Sequence, residues 1–225
     1  MPLYVCPTPI GNLSDITIRV IRVLRNVDLI AAEDTRKTRI LLNKYAINTK
    51  TVSFHSYSST KRLNYLIELL EQGKHIALVT DAGTPGISDP GYNLIKICID
   101  KGIHVEALPG PTSFVPALLL SGFPPAHFLF YGFLPRKHGK RIKILKSFGE
   151  FQGPVIYFES PYRVKNLISE ILEALGDRDI AIIRELTKIH EEVLRGKVTN
   201  LLDELDHKDL KGEIIVIIGP VEDKR

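Results

Sequence analysis

The chain has 225 residues, 44% hydrophobic and 25% charged, which excludes a disordered polypeptide and allows one large or two small packed domains. With 30 basic and 26 acidic residues its formal charge is +4, a surplus that suits an anionic partner without requiring one. Cys6 and Cys98 are too few for a disulfide framework or a metal knuckle. There is no charged-then-apolar leader and no apolar run of membrane-spanning length, so a soluble, cytoplasmic, metal-free protein with no membrane partner is expected.

Residues 3–6 read as a first strand running into a Gly/Pro loop, Pro7-Thr-Pro-Ile-Gly-Asn12. The helix after it has Ile18, Ile21, Leu24 and Val27 at helical spacing, and Arg19, Arg22 and Arg25 form a basic ridge. A solvated face and an RNA-facing one explain that ridge equally well. Residues 27–32 are the next strand, which hands the chain to Glu33-Asp-Thr-Arg-Lys-Thr-Arg39. Capping of a helix over 36–45 by Asp34 or Thr35 accounts for one acid, but not for two acids followed by three bases. After a short strand at 51–54 and a polar loop, Leu63, Leu66, Ile67 and Leu70 mark a helical core stripe. His55 lacks any metal-ligand spacing and reads as a loop histidine.

The run His75-Ile-Ala-Leu-Val-Thr80 is continuously apolar, as a strand buried on both faces should be, and it delivers Asp81 to its carboxyl end. Gly83, Pro85 and Gly86 then forbid regular structure and let a ligand approach bare backbone. Asp89-Pro90 reads as the N-cap and first-turn proline of a helix to about Lys101. The loop is longer than a βα connection requires. A strand at 103–108 ends in a third such loop, Pro109-Gly-Pro-Thr-Ser113. Loops at the carboxyl ends of strands are where open α/β sheets bind ligands.

This alternation predicts an α/β fold, with an N-terminal domain over 1–115 built on a mostly parallel sheet. A sharp turn at 121–126 leads into a C-terminal α/β domain over 116–225 with a mixed sheet. Arg136, Lys137, Lys140, Arg141, Lys143 and Lys146 lie together with no acid among them, which favours phosphate contact over a merely solvated face. A strand at 154–158 precedes a helix with Ser160 as N-cap, Pro161 at its first position, and Val164, Leu167, Ile168, Ile171, Leu172 and Leu175 on its apolar side, stopped by Gly176. Residues 179–184 are a strand ending in Glu185-Leu-Thr-Lys188. Glu191, Glu192 and Arg195-Gly-Lys197 follow, then a short helix at 201–205 and a buried strand at 213–218. No Gly-x-Gly-x-x-Gly fingerprint or P-loop is present, and the Gly/Pro loops carry few cations. A nucleoside with a zwitterionic or cationic tail suits them better than a polyphosphate.

Pro7-Thr-Pro-Ile-Gly-Asn12, Ala32-Glu-Asp-Thr-Arg36, Ser53-Phe-His55, Thr80-Asp-Ala-Gly-Thr-Pro-Gly-Ile-Ser-Asp-Pro-Gly91, Leu108-Pro-Gly-Pro-Thr112, Phe158-Glu-Ser-Pro161 and Arg184-Glu-Leu-Thr-Lys188 occur in this order over nearly the whole chain. Together they closely resemble the bacterial ribosomal RNA small-subunit methyltransferase I family, a branch of the tetrapyrrole-methylase-like enzymes. The resemblance implies two α/β domains with S-adenosylmethionine in the cleft between them and a homodimer. It also implies 2′-O-methylation of a decoding-centre cytidine of 16S rRNA, position 1402 in the usual numbering, in the small ribosomal subunit. By alignment with tetrapyrrole methylase loops, the cofactor positions are Ile10, Asp81, Ala82, Gly83, Thr84, Ile87, Thr112, Ser113, Phe158 and Leu186. Two departures, Gly-Thr-Pro in place of Gly-Asp-Pro and Pro7-Thr-Pro in place of a glycine-rich first loop, argue against a porphyrin substrate. Glu33, Asp34, Glu185 and Lys188, each just beyond a strand, are the candidates for handling the hydroxyl proton. A carboxylate ranks ahead of Lys188, because nearby acids oppose a lowered lysine pKa. Arg36, Arg136, Lys137, Lys140, Arg141 and Arg163 are the candidate RNA-phosphate contacts. A small-molecule, tetrapyrrole-type methyltransferase of the same fold and a non-catalytic ribosome-binding protein remain the alternatives.

Overall fold

The computed structural model describes residues 2–55, 58–89, 91–208 and 210–221. The chain forms two compact units, Met1–Thr112 and Ser113–Arg225. Together with the two sheets described below, they make the α/β class expected of the sequence.

The first unit runs β1 (Leu3–Val5), α1 (Ile18–Asn26), β2 (Leu29–Ala32), α2 (Thr35–Lys44), β3 (Thr51–Ser53), α3 (Thr60–Glu71), β4 (Ile76–Val79), α4 (Tyr92–Asp100) and β5 (Val105–Ala107). Its sheet has the order β3-β2-β4-β1-β5 and is parallel throughout. Every residue of β2 and β4 is buried, which explains why both read as continuous apolar runs. Successive side chains serve opposite faces. Ala77 and Val79 of β4 pack with Val20 and Leu24 of α1 and Leu41 and Leu42 of α2, while Ile76 and Leu78 pack with Leu66 and Leu70 of α3 and Leu94 and Cys98 of α4. Cys6 lies in the first of these clusters and Cys98 in the second, both fully buried. Burial pushes the Cys6 thiol up to about 12 and the Cys98 thiol up to about 11.

The face of α1 and the start of α4 depart from the sequence expectation. The buried side of α1 is Val20 and Leu24, whereas Ile18 is 69% exposed, because Thr17 caps the helix and turns its first residue outward. Helix α4 starts at Tyr92 behind Gly91, which sits at φ +132°, and not at Asp89. Pro90 lies outside the described residues.

The second unit runs α5 (Phe114–Ser121), β6 (Leu129–Phe133), α6 (His138–Ser147), β7 (Val155–Glu159), α7 (Val164–Leu175), β8 (Asp179–Arg184), β9 (Glu192–Lys197), α8 (Val198–Asp206) and β10 (Ile214–Ile218). Its sheet order is β6-β7-β10-β8-β9, with β6 and β7 parallel and the other pairs antiparallel. The core is one cluster in which Leu145, Val164, Leu167, Ile168 and Ile171 pack over Val155, Tyr157, Ile180, Ile182 and Val216. Helix α7 begins a turn later than Ser160 suggests. The Ser160 carbonyl accepts from the Arg163 and Val164 amides, so residues 160–163 form a turn and Arg163 takes the cap position.

Arg141 corrects the expected basic cluster. Only 3% of it is exposed, and it lies beneath α6 with Nη1 3.1 Å from Glu159 Oε2 and Nε on Glu170 Oε2. The Glu159 side chain has no exposed surface and is flanked by Arg141 and Arg163, the pairing that a buried carboxylate requires. Arg141→Met removes one of these cations and is expected to lower stability by about 3–5 kcal/mol in urea denaturation. Lys140→Met, one residue away on the exposed side, is expected to stay within about 0.5 kcal/mol.

Candidate functional site

In the first unit, the helices that follow β1 and β2 pack on one face of the sheet and those that follow β3 and β4 on the other. Strand β4 lies between β2 and β1, so the chain leaves it toward the opposite face from both neighbours. In open α/β sheets ligands bind where connections diverge in this way, here at the carboxyl end of β4. Residues 80–89 lie there and are tied to the loop after β1 by reciprocal backbone bonds, Thr8 N to Gly83 O and Gly83 N to Thr8 O, both 2.9 Å. The buried Thr8 hydroxyl donates to the Thr80 carbonyl at 2.9 Å, and Thr84 Oγ1 donates to Pro111 O at 3.2 Å. Three loops, at 7–12, 80–89 and 108–112, are therefore fastened together. Gly83 has φ +79°, a conformation L side chains disfavour. A Cβ on Gly110 would stand 2.8 Å from Pro7 Cβ, so the loops after β1 and β5 approach closely only because that residue is glycine.

The same end of the sheet gathers the acid-then-base cluster. Glu33 Oε2 accepts from the Asp81 amide at 3.2 Å, and Asp81 Oδ1 accepts from the Asp34 amide at 3.1 Å. Asp34 is the N-cap of α2, accepting from Arg36 N at 2.8 Å, and its two oxygens also take Arg36 Nε at 3.1 Å and Nη2 at 2.7 Å. These bonds to Arg36 hold the Asp34 carboxyl well below the usual carboxylate range. Lys37 Nζ lies 2.7 Å from Asp81 Oδ2, and that bond raises the lysine above its ordinary value. Sequence reasoning placed Lys37 in the basic run but not at the site. Its signal was the position directly after Arg36 in the first turn of α2, from which it reaches Asp81 beyond the end of β4.

Ile10, Asp81, Ala82, Gly83, Thr84, Ile87 and Thr112 thus all belong to the three joined loops of the first unit. Ile10 is buried, whereas Ile87 is exposed. Ser113, Phe158 and Leu186 belong to the second unit. There Ser113 precedes α5 without a side-chain capping bond. The Phe158 ring meets Phe130 edge-on at 5.0 Å and Phe133 at 5.5 Å. Leu186 is buried between Glu185 at φ +51° and Thr187 at φ +66°, two strained residues of the kind that cluster at functional loops.

The four candidate proton-handling groups separate two and two: Glu33 and Asp34 at the Asp81 cluster, Glu185 and Lys188 after β8. Lys188 Nζ contacts Glu185 Oε1 at 2.9 Å and Glu213 Oε2 at 3.0 Å, and Glu185 Oε1 also accepts from the Glu213 amide at 3.0 Å. The bond from Lys188 lowers the Glu185 carboxyl. Burial by itself would lower Lys188, but its bonds to Glu185 and Glu213 outweigh burial and raise it.

Of the candidate phosphate contacts, Arg36 is 89% exposed at its side chain while paired with Asp34. Arg163 is 32% exposed, with Nη2 2.6 Å from Glu159 Oε1 and Nε 3.3 Å from Ser160 Oγ. Arg136, Lys137 and Lys140 are exposed and, among the described residues, form no ion pair. Arg141 is buried as described and does not reach the surface. Among the described residues there is no group of three or more His, Cys, Asp or Glu placed to hold a metal ion, and no helix long and apolar enough to cross a membrane.

Glycine-bearing loops joined at the carboxyl end of a parallel sheet, where the connections diverge, are the pattern of α/β proteins that bind small organic ligands. The model of the tetrapyrrole (corrin/porphyrin) methylases matches residues 2–202. Among solved structures, the chain resembles diphthine synthase with a TM-score of 0.74 and 13% identity, over 97% of this chain and 90% of that one. It also resembles uroporphyrin-III C-methyltransferase from Thermus thermophilus complexed with S-adenosyl homocysteine, with a TM-score of 0.68 and 17% identity over 97% of each chain. At these identities the likeness is one of fold. Sequence similarity is stronger to the ribosomal RNA small subunit methyltransferase I of Thermotoga maritima, 47% identical over 220 residues that span 98% of this chain and 99% of that one. The Bacillus subtilis protein of the same name is 44% identical over 216 residues, 96% of this chain and 74% of that one. The chain therefore belongs to the tetrapyrrole methylase family and, within it, to the ribosomal RNA small subunit methyltransferase I branch.

The Glu185–Lys188 pair makes a pH-dependent contribution. Glu185 is lowered from 4.5, so its share is present above that value and is lost as pH falls through the lower folded value. Lys188 is raised from 10.5, so its share is present below that value and is lost as pH rises through the higher one. Glu185→Gln is expected to lower Tm by roughly 2–4 °C at neutral pH, for a pair contributing about 1 kcal/mol. In thermal melts across acid pH, the gap to the parent protein closes once Glu185 itself is protonated.

Proposed function

We propose that the protein transfers a methyl group from S-adenosylmethionine to a ribose 2′-hydroxyl of 16S ribosomal RNA, at the decoding-centre cytidine 1402. On this reading it acts in the cytoplasm as a homodimer on the small ribosomal subunit. The observation carrying the reading is the 47% identity with the Thermotoga protein over nearly the whole of both chains. The three joined loops fit the cofactor: Gly83 and Gly86, both at positive φ, leave backbone open to a nucleoside, and Ile10 and Ile87 offer apolar surface to its base. Asp81, Ala82, Thr84 and Thr112 supply polar groups around them. When bound, S-adenosylmethionine supplies an electrophilic sulfonium methyl.

The chain's own part is to position the acceptor hydroxyl and receive its proton. Both Asp34 oxygens are held by Arg36, and the Glu185 carboxyl is lowered by Lys188. Lys188, raised by its acids, stays protonated at neutral pH and acts as a donor. Glu33 uses Oε2 to hold the Asp81 amide, and among the described residues its Oε1 has no hydrogen-bond partner. Glu33 is therefore the carboxylate assigned to accept the hydroxyl proton, while Arg36, Arg136, Lys137 and Lys140 hold phosphates.

The test is transfer of labelled methyl from S-adenosylmethionine to small subunits lacking the modification, followed by nuclease digestion and mass spectrometry. A single 2′-O-methylcytidine from the decoding centre is expected; label on no RNA, with cofactor still bound, overturns the reading. In the same assay, Glu33→Gln is expected to slow transfer by about 10²–10⁴-fold while cofactor affinity is kept. Transfer at the parent rate removes Glu33 from the mechanism.

A further inference from the structure

Strands β6 and β7 are adjacent and parallel, with Phe133 beside Phe158, so the loops that follow them leave from the same end of the second sheet. One loop carries Arg136 and Lys137 into α6; the other is the turn at 160–163. A single buried carboxylate fastens the two: Glu159 contacts Arg141 of α6 at 3.1 Å through Oε2, and Arg163 at 2.6 Å and the Ser160 amide at 2.8 Å through Oε1. The turn is closed by the Arg163 amide on the Ser160 carbonyl at 3.0 Å, and Pro161 fixes one of its φ angles. On this rigid turn stands Tyr162, 93% exposed. The fold holds a large aromatic side chain out in water, at the sheet end from which the loop carrying Arg136 and Lys137 also leaves, and among the described residues those two and Lys140 have no ion-pair partner. Core packing gives no reason for this, since Tyr162 adds nothing to the buried cluster of the unit.

We propose that Tyr162 is a stacking platform for one unpaired RNA nucleotide, whose flanking phosphates are held by Arg136, Lys137 and Lys140. The inference rests on the RNA substrate argued above. An exposed ring offers a π-face to any base, and nearby lysine and arginine side chains track the backbone, which is how proteins hold single-stranded nucleic acid. The clamped turn removes most of the ordering cost that a flexible loop would incur on binding. Charge complementarity favours RNA as the occupant, because Arg136, Lys137 and Lys140, carried from the same sheet end, have no ion-pair partner among the described residues.

The experiment is binding of fluorescein-labelled oligocytidylate to the full chain by anisotropy over a series of salt concentrations. Tyr162→Ala is expected to weaken binding roughly 5- to 100-fold with an unchanged salt slope, and Tyr162→Phe to bind like the parent. The double variant Lys137→Glu, Lys140→Glu is expected to make the slope shallower. A thermal melt and S-adenosylmethionine affinity, both expected unchanged in Tyr162→Ala, show that the fold is intact. Equal affinity for Tyr162→Ala and the parent overturns the stacking role while leaving the RNA reading in place. Equal loss in the Ala and Phe variants, or a change in sedimentation state without loss of affinity, overturns it in favour of a hydroxyl or protein contact. Absence of RNA binding by the parent chain overturns both.

Discussion

The first unit depends on how the chain leaves β4. The strand is covered on both faces, so the polar backbone that follows it emerges from a fully apolar layer and has to be satisfied within a few residues. Thr8 and Gly83 bond each other reciprocally, Thr80 accepts from the Thr8 hydroxyl, and Asp81 exchanges amide and carboxylate with Glu33 and Asp34. Every one of these partners lies at the end of a neighbouring strand. Burial of the sheet therefore dictates that the loops be stitched together, and the stitching leaves a rigid, glycine-lined rim. Preorganisation of this kind favours a reaction whose main demand is alignment of donor and acceptor.

The second unit meets a similar demand with charge. Glu159 ends β7 in a place water does not reach, and Arg141 and Arg163 supply the compensation. A buried ion pair adds little net stability over an apolar equivalent. What it gives here is a fixed relation between α6 and the turn after β7.

The parallel sheet, the bare loops and the strand ends bearing Asp81, Glu33 and Asp34 were legible in the sequence, because apolar runs and Gly/Pro clusters are local signals. Other features were set by tertiary context. Arg141 looks like its neighbours Lys140 and Lys143 in sequence; only the helical phase of α6 against α7 turns it inward to Glu170. Strand β9 was not read as a strand, since Glu192, Arg195, Gly196 and Lys197 give it the charged pattern of a protected sheet edge and no apolar run. Ser160 carries good capping chemistry, but the turn it begins closes before the helix starts, and α4 starts at Tyr92 behind Gly91 and not at Asp89. The roles of Lys37 and Glu213 depend on carboxylates and amines from distant strands, which spacing along the chain does not encode.

Both thiols of the protein lie in the first unit, on opposite faces of one sheet, each fully covered and each with its ionisation pushed well above neutrality. They are too far apart in the layer order to pair, and too poorly ionised to react while the sheet is closed. An alkylating reagent in solution therefore sees them only during openings of residues 1–112, and the second unit contributes no background. The chain thus carries an internal clock for the opening of its first unit, readable by mass.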